Sequence, residues 1–470
     1  MFDNSYARLP ERFYVRHAPA QVPAPGLLAW NRELARDLGL LGLDGSDHKL
    51  AEIFSGNELP AGAEPIALAY AGHQFGHFVP QLGDGRAVLL GEVTGGDGRR
   101  QDVQLKGSGQ TPFSRNGDGK SSLGPVIREY ILSEAMHHLG VPTTRALAAV
   151  VTGETVFRET AMPGAVFTRV ASSHVRVGTF QFFAARGDRD AVETLADYAI
   201  GRHYPAARDE DRPYRAFFRQ VLERQAALIA HWMDIGFIHG VMNTDNTSIS
   251  GETIDYGPCA FMDEFRFDKV FSSIDHAGRY AYGHQATIAH WNLARLAECL
   301  LLLDDDQPAF EEELDRFPGL YHEHYYTRMR KKLGLSTREP DDERLIGEWL
   351  RYLQSEGLDY TLSFRKLAAR VCADGPAEFG GFEPMWKQRI ENQPQAAADI
   401  RANMESVNPL YIPRNHQVEK AIEGTLAGDL TTFEELLEVT KQPFREHQDL
   451  GHYAEPPLPE QRVTRTFCGT

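Results

Sequence analysis

The stretch GFIHGVMNTDNTSISGETIDYGP, Gly236 to Pro258, decides how the rest of this 470-residue chain is read. It follows Arg215 to Ile235, where Phe218, Val221, Leu222, Leu228, Ile229, Trp232 and Met233 recur at helical spacing. A buried helix therefore runs into Gly236 and stops there. Beyond the stop come His239, Asp245, Asn246 and Asp255 in a turn-rich segment. Asp and Asn in such a segment either cap turns or supply a proton acceptor and oxygen ligands for a cation, and neighbouring residues must choose between these.

The first third supplies them. AVLLGEV (Ala87 to Val93) and QDVQLKG (Gln101 to Gly107), separated by the turn TGGDGRR, predict a hairpin. PVIREYILSEAMHHL then predicts a helix with Pro125 in its first turn and Ile127, Ile131, Ala135 and Leu139 on one face. ALAAVVTGE, TVFRE and GAVFTRV read as further strands. Gly178 and FQFFAARGD read as a crossing between lobes, and the chain beyond them, including TIAHWNLARLAECLLLL and TFEELLEVT, reads mainly as helical scaffold.

Lys106 thus lies on a strand and Glu129 on the next helix, the order in which protein kinases pair a Lys with a Glu to position phosphates. His239 and Asn246 stand at the spacing of the kinase H-R-D-x-x-x-x-N, and Asp255-Tyr256-Gly257 stands where kinases have D-F-G. Val241 occupies the position of the kinase base and cannot accept a proton, so Asp245 is the substitute. Gly83, Gly85 and Arg86, ahead of a strand, suit a phosphate-covering turn or a plain one. Arg169 and Arg176 flank the lobe junction, where guanidinium forks suit phosphate oxygens. The expectation is an α+β, protein-kinase-like two-lobed fold. Its β-rich N-lobe with one key helix spans 1–178, and its larger, mostly helical C-lobe spans 179–470.

A net charge of −17 leaves no basic footprint for nucleic acid or an anionic membrane. No apolar run approaches the roughly 20 residues of a membrane span, and the first residues lack a secretory pattern, so a cytoplasmic protein is expected. Cys259, Cys299, Cys372 and Cys468 are too scattered for a disulfide framework or structural zinc. His73 and His77 lack the partner carboxylate of a metal motif and are assigned structural roles; His322 and His324 are weaker still.

YAGHQFGHFVPQLGDGRA (Tyr70 to Ala87), QLKGSGQTPFSRNGDGKSSL (Gln104 to Leu123), FTRVASSHVRVGTFQ, the 239–258 segment and NPLYIPRNH near Asn408 resemble the selenoprotein O / YdiU family over most of the chain. That resemblance implies a pseudokinase-like fold binding ATP in an inverted orientation and transferring AMP to Ser, Thr or Tyr hydroxyls of proteins, possibly the enzyme itself. It also implies UMP transfer from UTP, with Mg2+ or Mn2+ as cofactor. By matching motifs, Gly83, Gly85, Arg86, Lys106, Asp118, Gly119, Arg169 and Arg176 would contact nucleotide, Asp245 would accept the proton, and Asn246 and Asp255 would hold the metal. Some members end in a Cys-x-x-selenocysteine pair, whereas this tail reads RTFCGT, so Cys468 is expected as a lone thiol. Rival readings are a conventional kinase transferring the γ-phosphate, which Val241 opposes, and a non-catalytic scaffold, which the retained metal ligands oppose.

Overall fold

The computed structural model describes residues 2–43 and 45–467. The strands of its N-terminal part are β1 (Tyr14–Arg16), β2 (Gly26–Trp30), β3 (Ile66–Leu68), β4 (Gly72–Gln74), β5 (His77–Val79), β6 (Ala87–Thr94), β7 (Arg100–Lys106), β8 (Ser121–Ser122), β9 (Arg145–Phe157) and β10 (Ala161–Ala171). Apart from the β4–β5 hairpin, these make one sheet in the order β1-β3-β6-β7-β10-β9-β2, with β8 pairing onto β10. Every pairing in it is antiparallel. The β6–β7 hairpin is the one its Gly/Asp turn predicts, and the register sets Arg169 of β10 opposite Gln104 of β7.

Strand alternation splits β7 between two layers. Val103 and Leu105 pack with Leu34 of α1 (Arg32–Asp37) and with Leu50 and Phe54 of α2 (Asp47–Ser55). Gln104 and Lys106 are buried on the other side, toward the helix α3 (Leu123–His138). On that side Ile127, Tyr130 and Ile131 of α3 pack with Ala149 and Phe167 of the sheet. Val418 and Phe433, from the late helices Asn415–Leu426 and Thr431–Lys441, join the same cluster. Each fully buried side chain of this size contributes roughly 1.5–3 kcal/mol.

The rest is mainly helical: α4 (Val177–Ala184), α5 (Arg189–His203), α6 (Pro213–Asp234), α7 (Gln285–Leu300) and the helices after them, with a two-stranded ribbon of β11 (Phe237–Ile238) and β12 (Ala260–Phe261) between α6 and α7. They share a third core that includes Phe180, Phe217, Leu222, Ile229, Leu293, Trp349 and Phe364. The architecture is therefore α+β with a mostly antiparallel sheet, and no helix among the described residues is long and apolar enough to cross a membrane.

Local readings needed three corrections. FQFFAARGD begins inside α4, because four of its first five residues are apolar or aromatic and Phe180 and Phe183 both find the third core. Helix α3 starts two residues before Pro125, at Leu123, which keeps Pro125 in the first turn as read, since Ser121 and Ser122 are held against β10 and the chain turns directly into the helix. β2 and β3 carry no alternation to reveal them and exist through their pairing with β9 and β6.

Arg414 of the NPLYIPRNH motif has no exposed surface and ties the late helices to the middle of the chain. Its Nη1 donates to Asp263 at 2.5 Å and Asp359 at 2.8 Å, and its Nε to the Ala454 carbonyl at 3.0 Å. Arg414→Leu strands two carboxylates, so a loss of about 3–5 kcal/mol is the prediction. Urea denaturation checks it, and a shift of the midpoint within error would refute this account.

Candidate active site

A cleft of about 880 Å3 opens where the central strands β6, β7 and β10, α3 and the 239–257 segment meet. Its floor is one ion cluster. Lys106 Nζ donates to Glu129 Oε1 and Oε2 at 2.9 and 2.8 Å, and to Asp255 Oδ1 at 2.9 Å. Arg169 Nη1 reaches Asp255 Oδ1 at 2.6 Å, and Arg176 Nη1 reaches Asp255 Oδ2 at 2.7 Å. Burial opposes the charge on Asp255, but Arg169, Lys106 and Arg176 together hold its carboxyl well below the ordinary range.

The backbone places these groups with some strain. Asp255 sits at φ +65°, a left-handed conformation uncommon for any residue but glycine and better tolerated by Asp and Asn than by most. The neighbouring chain holds it there: Thr144 N donates to the Thr253 carbonyl at 3.0 Å, and Arg128 Nε to the Gly257 carbonyl at 3.0 Å. His239 is fully buried, stacked on Trp232 at 5.2 Å, and donates from Nε2 to the Ile254 carbonyl at 2.8 Å. Its part is to brace the loop. Arg176 comes from elsewhere. Val177 N donates to the Thr247 carbonyl at 2.9 Å and Ile249 N to the Val175 carbonyl at 3.1 Å, which stitches the start of α4 to the chain just after the turn Thr244–Asn246. Arg176 Nη1 completes this by donating to the Asp245 carbonyl at 2.5 Å.

Asp245 differs from Asp255. Oδ2 accepts from Gln74 Nε2 at 3.1 Å, while Oδ1 is buried with no hydrogen-bond partner. Burial pushes its carboxyl up to about 6, with Gln74 and Arg176 partly opposing. A carboxylate in the lining of a cleft, with one idle oxygen and an affinity for protons near neutrality, is suited to receive a proton. Asn246 donates from Nδ2 to the Val241 carbonyl at 2.9 Å, which turns its amide oxygen away from that bond. Among the described residues no cluster of three or more His, Cys, Asp or Glu side chains stands ready for a metal. One amide oxygen and one carboxylate nevertheless fit a magnesium-type ion, which commonly takes one or two protein ligands and completes its shell with phosphate oxygens and water.

Of the residues singled out in the sequence, Gly85, Arg86, Lys106, Glu129, Arg169, Arg176, Asp245, Asn246 and Asp255 line this cleft. The buried Nη1 of Arg86 has no partner. Gly83, Asp118 and Gly119 stand outside the lining. Gly83, at φ +84°, packs against Phe113, where a Cβ would come within 2.4 Å of the ring. Asp118 pairs with Arg158 at 2.8 Å, and Gly119 abuts the Gly109 carbonyl. His73 and His77 lie on opposite strands of the β4–β5 hairpin rather than on one helix face, and His73 Nδ1 meets Gln181 Nε2 at 2.8 Å. His322 pairs with Glu343 at 3.1 Å. Cys299 is buried and Cys372 exposed, while Cys468 lies outside the described residues.

Sequence reasoning missed a second layer. Asp84 Oδ2 accepts from Gln104 Nε2 at 3.0 Å and from Leu68 N at 3.1 Å, and Gln104 Oε1 accepts from Arg169 Nε at 2.8 Å. Burial lifts the Asp84 carboxyl to about 6. Gln104 had a signal, being two residues from Lys106 and so on the same strand face. Gly72 had none: a Cβ there would lie 2.2 Å from Asp245 Oδ1. Near the C-terminus, Val463, Arg465, Thr466 and Phe467 also line the cleft, held by Thr466 N donating to the Phe271 carbonyl at 2.8 Å.

A cleft with convergent cations, a strained buried carboxylate and a second carboxylate with one idle oxygen has the groups that handling phosphates calls for. Comparison with known proteins makes this specific. Residues 1–441 match the family described as protein adenylyltransferase SelO. The chain is 55% identical to the protein nucleotidyltransferase YdiU of Rhizobium meliloti (strain 1021), over 100% of this chain and 99% of that protein. It is 56% identical to the one of Rhodopseudomonas palustris (strain HaA2), with the same coverage. The chain belongs to the SelO family, a family of nucleotidyltransferase enzymes.

Proposed function

We propose that this enzyme transfers AMP from ATP to Ser, Thr or Tyr hydroxyls of proteins and releases pyrophosphate, with UTP serving as an alternative donor of UMP. The observation that carries the proposal is the convergence of Lys106, Arg169 and Arg176 on Asp255, in the same cleft as Asp245, whose Oδ1 has no partner. In this reading the fold is a two-lobed, kinase-like one, divided near residue 178, with the nucleotide between the sheet and the 239–257 loop. ATP is inverted relative to a kinase, so the α-phosphorus faces Asp245. The hydroxyl oxygen bonds to that phosphorus, its proton passes to Asp245 Oδ1, and the bond to the departing pyrophosphate breaks with its electron pair. Lys106, Arg169 and Arg176 neutralise charge as it builds on the phosphates, with Arg86, whose buried Nη1 has no partner, as a fourth cation. Glu129 orients Lys106, and Gln104 orients Arg169. Asn246 and Asp255 would hold Mg2+ or Mn2+, which supplies charge neutralisation and phosphate orientation.

The test is incubation with a divalent cation and ATP labelled at the α or the γ phosphate, read by denaturing gel and intact mass. Label from the α position, with an AMP-sized gain in mass on protein, supports the proposal. Label from γ alone makes the enzyme a kinase and overturns it.

Gly72→Ala probes the same geometry. The new Cβ displaces Asp245 Oδ1, and a shift near 1 Å in a reacting group costs about 100-fold in rate. The expected result is such a fall in transfer with ATP affinity retained, measured by α-label transfer and calorimetry; unchanged transfer would mean that the position of Asp245 is immaterial.

A further inference from the structure

Arg279 forms no ion pair and no hydrogen bond from its Nε among the described residues, although that nitrogen is buried. Its guanidinium is nonetheless held in one place. Cζ lies 4.9 Å from the Trp291 ring and 5.8 Å from the Tyr280 ring, and a Cβ on Gly76 would come within 3.5 Å of it. Arg295 stacks on the same Trp291 at 4.9 Å but is neutralised by Glu298 at 2.7 Å. The nearest carboxylate in sequence, Asp275, is taken up by the backbone N–H groups of Arg279 and Tyr280 at 2.9 and 2.8 Å. A chain with a net charge of −17 has therefore left one half-buried arginine without an anion, beside its catalytic cleft.

Its surroundings connect it to the proton acceptor rather than to the phosphate cations. Gly76 and Phe75 form the tip of the β4–β5 hairpin, both at positive φ (86° and 51°), and Phe75 packs on Tyr280 at 5.0 Å. Phe75 N donates to Tyr280 OH at 3.1 Å, and Tyr280 OH donates to Asn243 Oδ1 at 2.6 Å. Gln74, from the same hairpin, holds Asp245. Phe75, Asn243, Gln74 and the exposed Ile274 all line the cleft. The acceptor hydroxyl must reach Asp245, and the phosphates are matched by Lys106, Arg169 and Arg176, so the hairpin side is where an acceptor protein enters.

Resting on the proposed transfer reaction, we infer that Arg279 recognises a carboxylate of the acceptor protein, an Asp or Glu flanking the hydroxyl that receives AMP. A guanidinium already stacked on an aromatic ring loses little freedom on binding and pairs bidentately with a carboxylate. Ile274, exposed in the cleft lining, offers apolar surface to the same acceptor.

The experiment uses the full chain, α-labelled ATP and three peptide libraries with a central Ser, Thr or Tyr. The first carries Asp or Glu at the flanking positions, the second Asn or Gln, and the third Lys. The wild type labels the acidic library about tenfold or more above the amide library, the size of a charge-assisted hydrogen bond. Arg279→Gln reduces that ratio to near one while its ATP affinity, by calorimetry, stays at the wild-type value. Arg279→Glu shifts preference toward the third library. Arg279→Lys, which keeps the charge but loses the fork, retains part of the preference, and its melting temperature reports on folding. Equal labelling of the acidic and amide libraries by the wild type, including both at background while intact proteins are labelled, overturns the inference. So does a preference that survives in Arg279→Gln. Absence of α label on every protein and peptide is a different failure, since it removes the transfer reading itself.

Discussion

Asp255→Ala is expected to abolish transfer and to unfold at a markedly lower temperature than the parent. The variant removes the anion shared by Lys106, Arg169 and Arg176, leaving three cations crowded together in a buried place. Breaking a buried pair of this kind costs roughly 3–5 kcal/mol. Alanine at φ +65° adds roughly 1–2 kcal/mol of backbone strain that Asp bears more easily. Asp255→Asn separates the two causes, because asparagine tolerates the left-handed conformation while losing the charge. It should melt between the parent and the alanine variant. In both variants the gain in ATP affinity on adding Mg2+ should vanish, because the proposed metal ligand is gone, and transfer should fall by roughly 1,000-fold. Calorimetry with and without the metal decides it. A Mg2+-dependent gain equal to that of the parent would remove Asp255 from the metal site.

Asp245→Asn should lose nearly all transfer, by roughly 100- to 10,000-fold, the range for deletion of a general base. Its ATP affinity should hardly change, because Asp245 meets Gln74 and not the cations of the cleft floor through its side chain. Its stability should move opposite to that of Asp255→Ala. Asp245 has a buried oxygen with no partner, so its ionised form costs desolvation that the fold does not recover, and a neutral amide removes that cost. A melting temperature equal to or above the parent, joined to lost activity, is the signature of a group kept for chemistry at some cost to stability. Transfer close to the parent's would sink the base assignment; a large fall in melting temperature would reclassify Asp245 as structural.

How legible this was differs from residue to residue. The β6–β7 hairpin, α6 and α7 were readable because turn chemistry and helical periodicity are local. The contact of Lys106 with Glu129 was anticipated from their order along the chain, a strand Lys followed by a helix Glu as in kinases. Gln104 and Asp84 were not anticipated, although both are part of what holds Arg169, because a buried Gln and an Asp between glycines look like any others until the strands are paired. The β4–β5 hairpin was read only as a pair of histidines, whereas its Gly72, Gln74 and Phe75 surround Asp245 and its neighbours.

By itself the amino-acid sequence determined where the β6–β7 hairpin, the β9 and β10 strands and the helices α3, α6 and α7 lie, that the segment after Gly236 is turn-rich and bears oxygen donors, and that no kinase base stands at Val241. Those are properties of neighbours, set by periodicity, turn preference and residue type. Only the tertiary structure decided that Arg169 faces Gln104, that Arg176 reaches Asp255 across 79 residues of chain, that Asp245 keeps one oxygen unpaired, and that Arg279 is left without an anion. Strand register, helix packing and burial set these, and each depends on residues far apart in sequence whose mutual positions are defined once the three cores have formed.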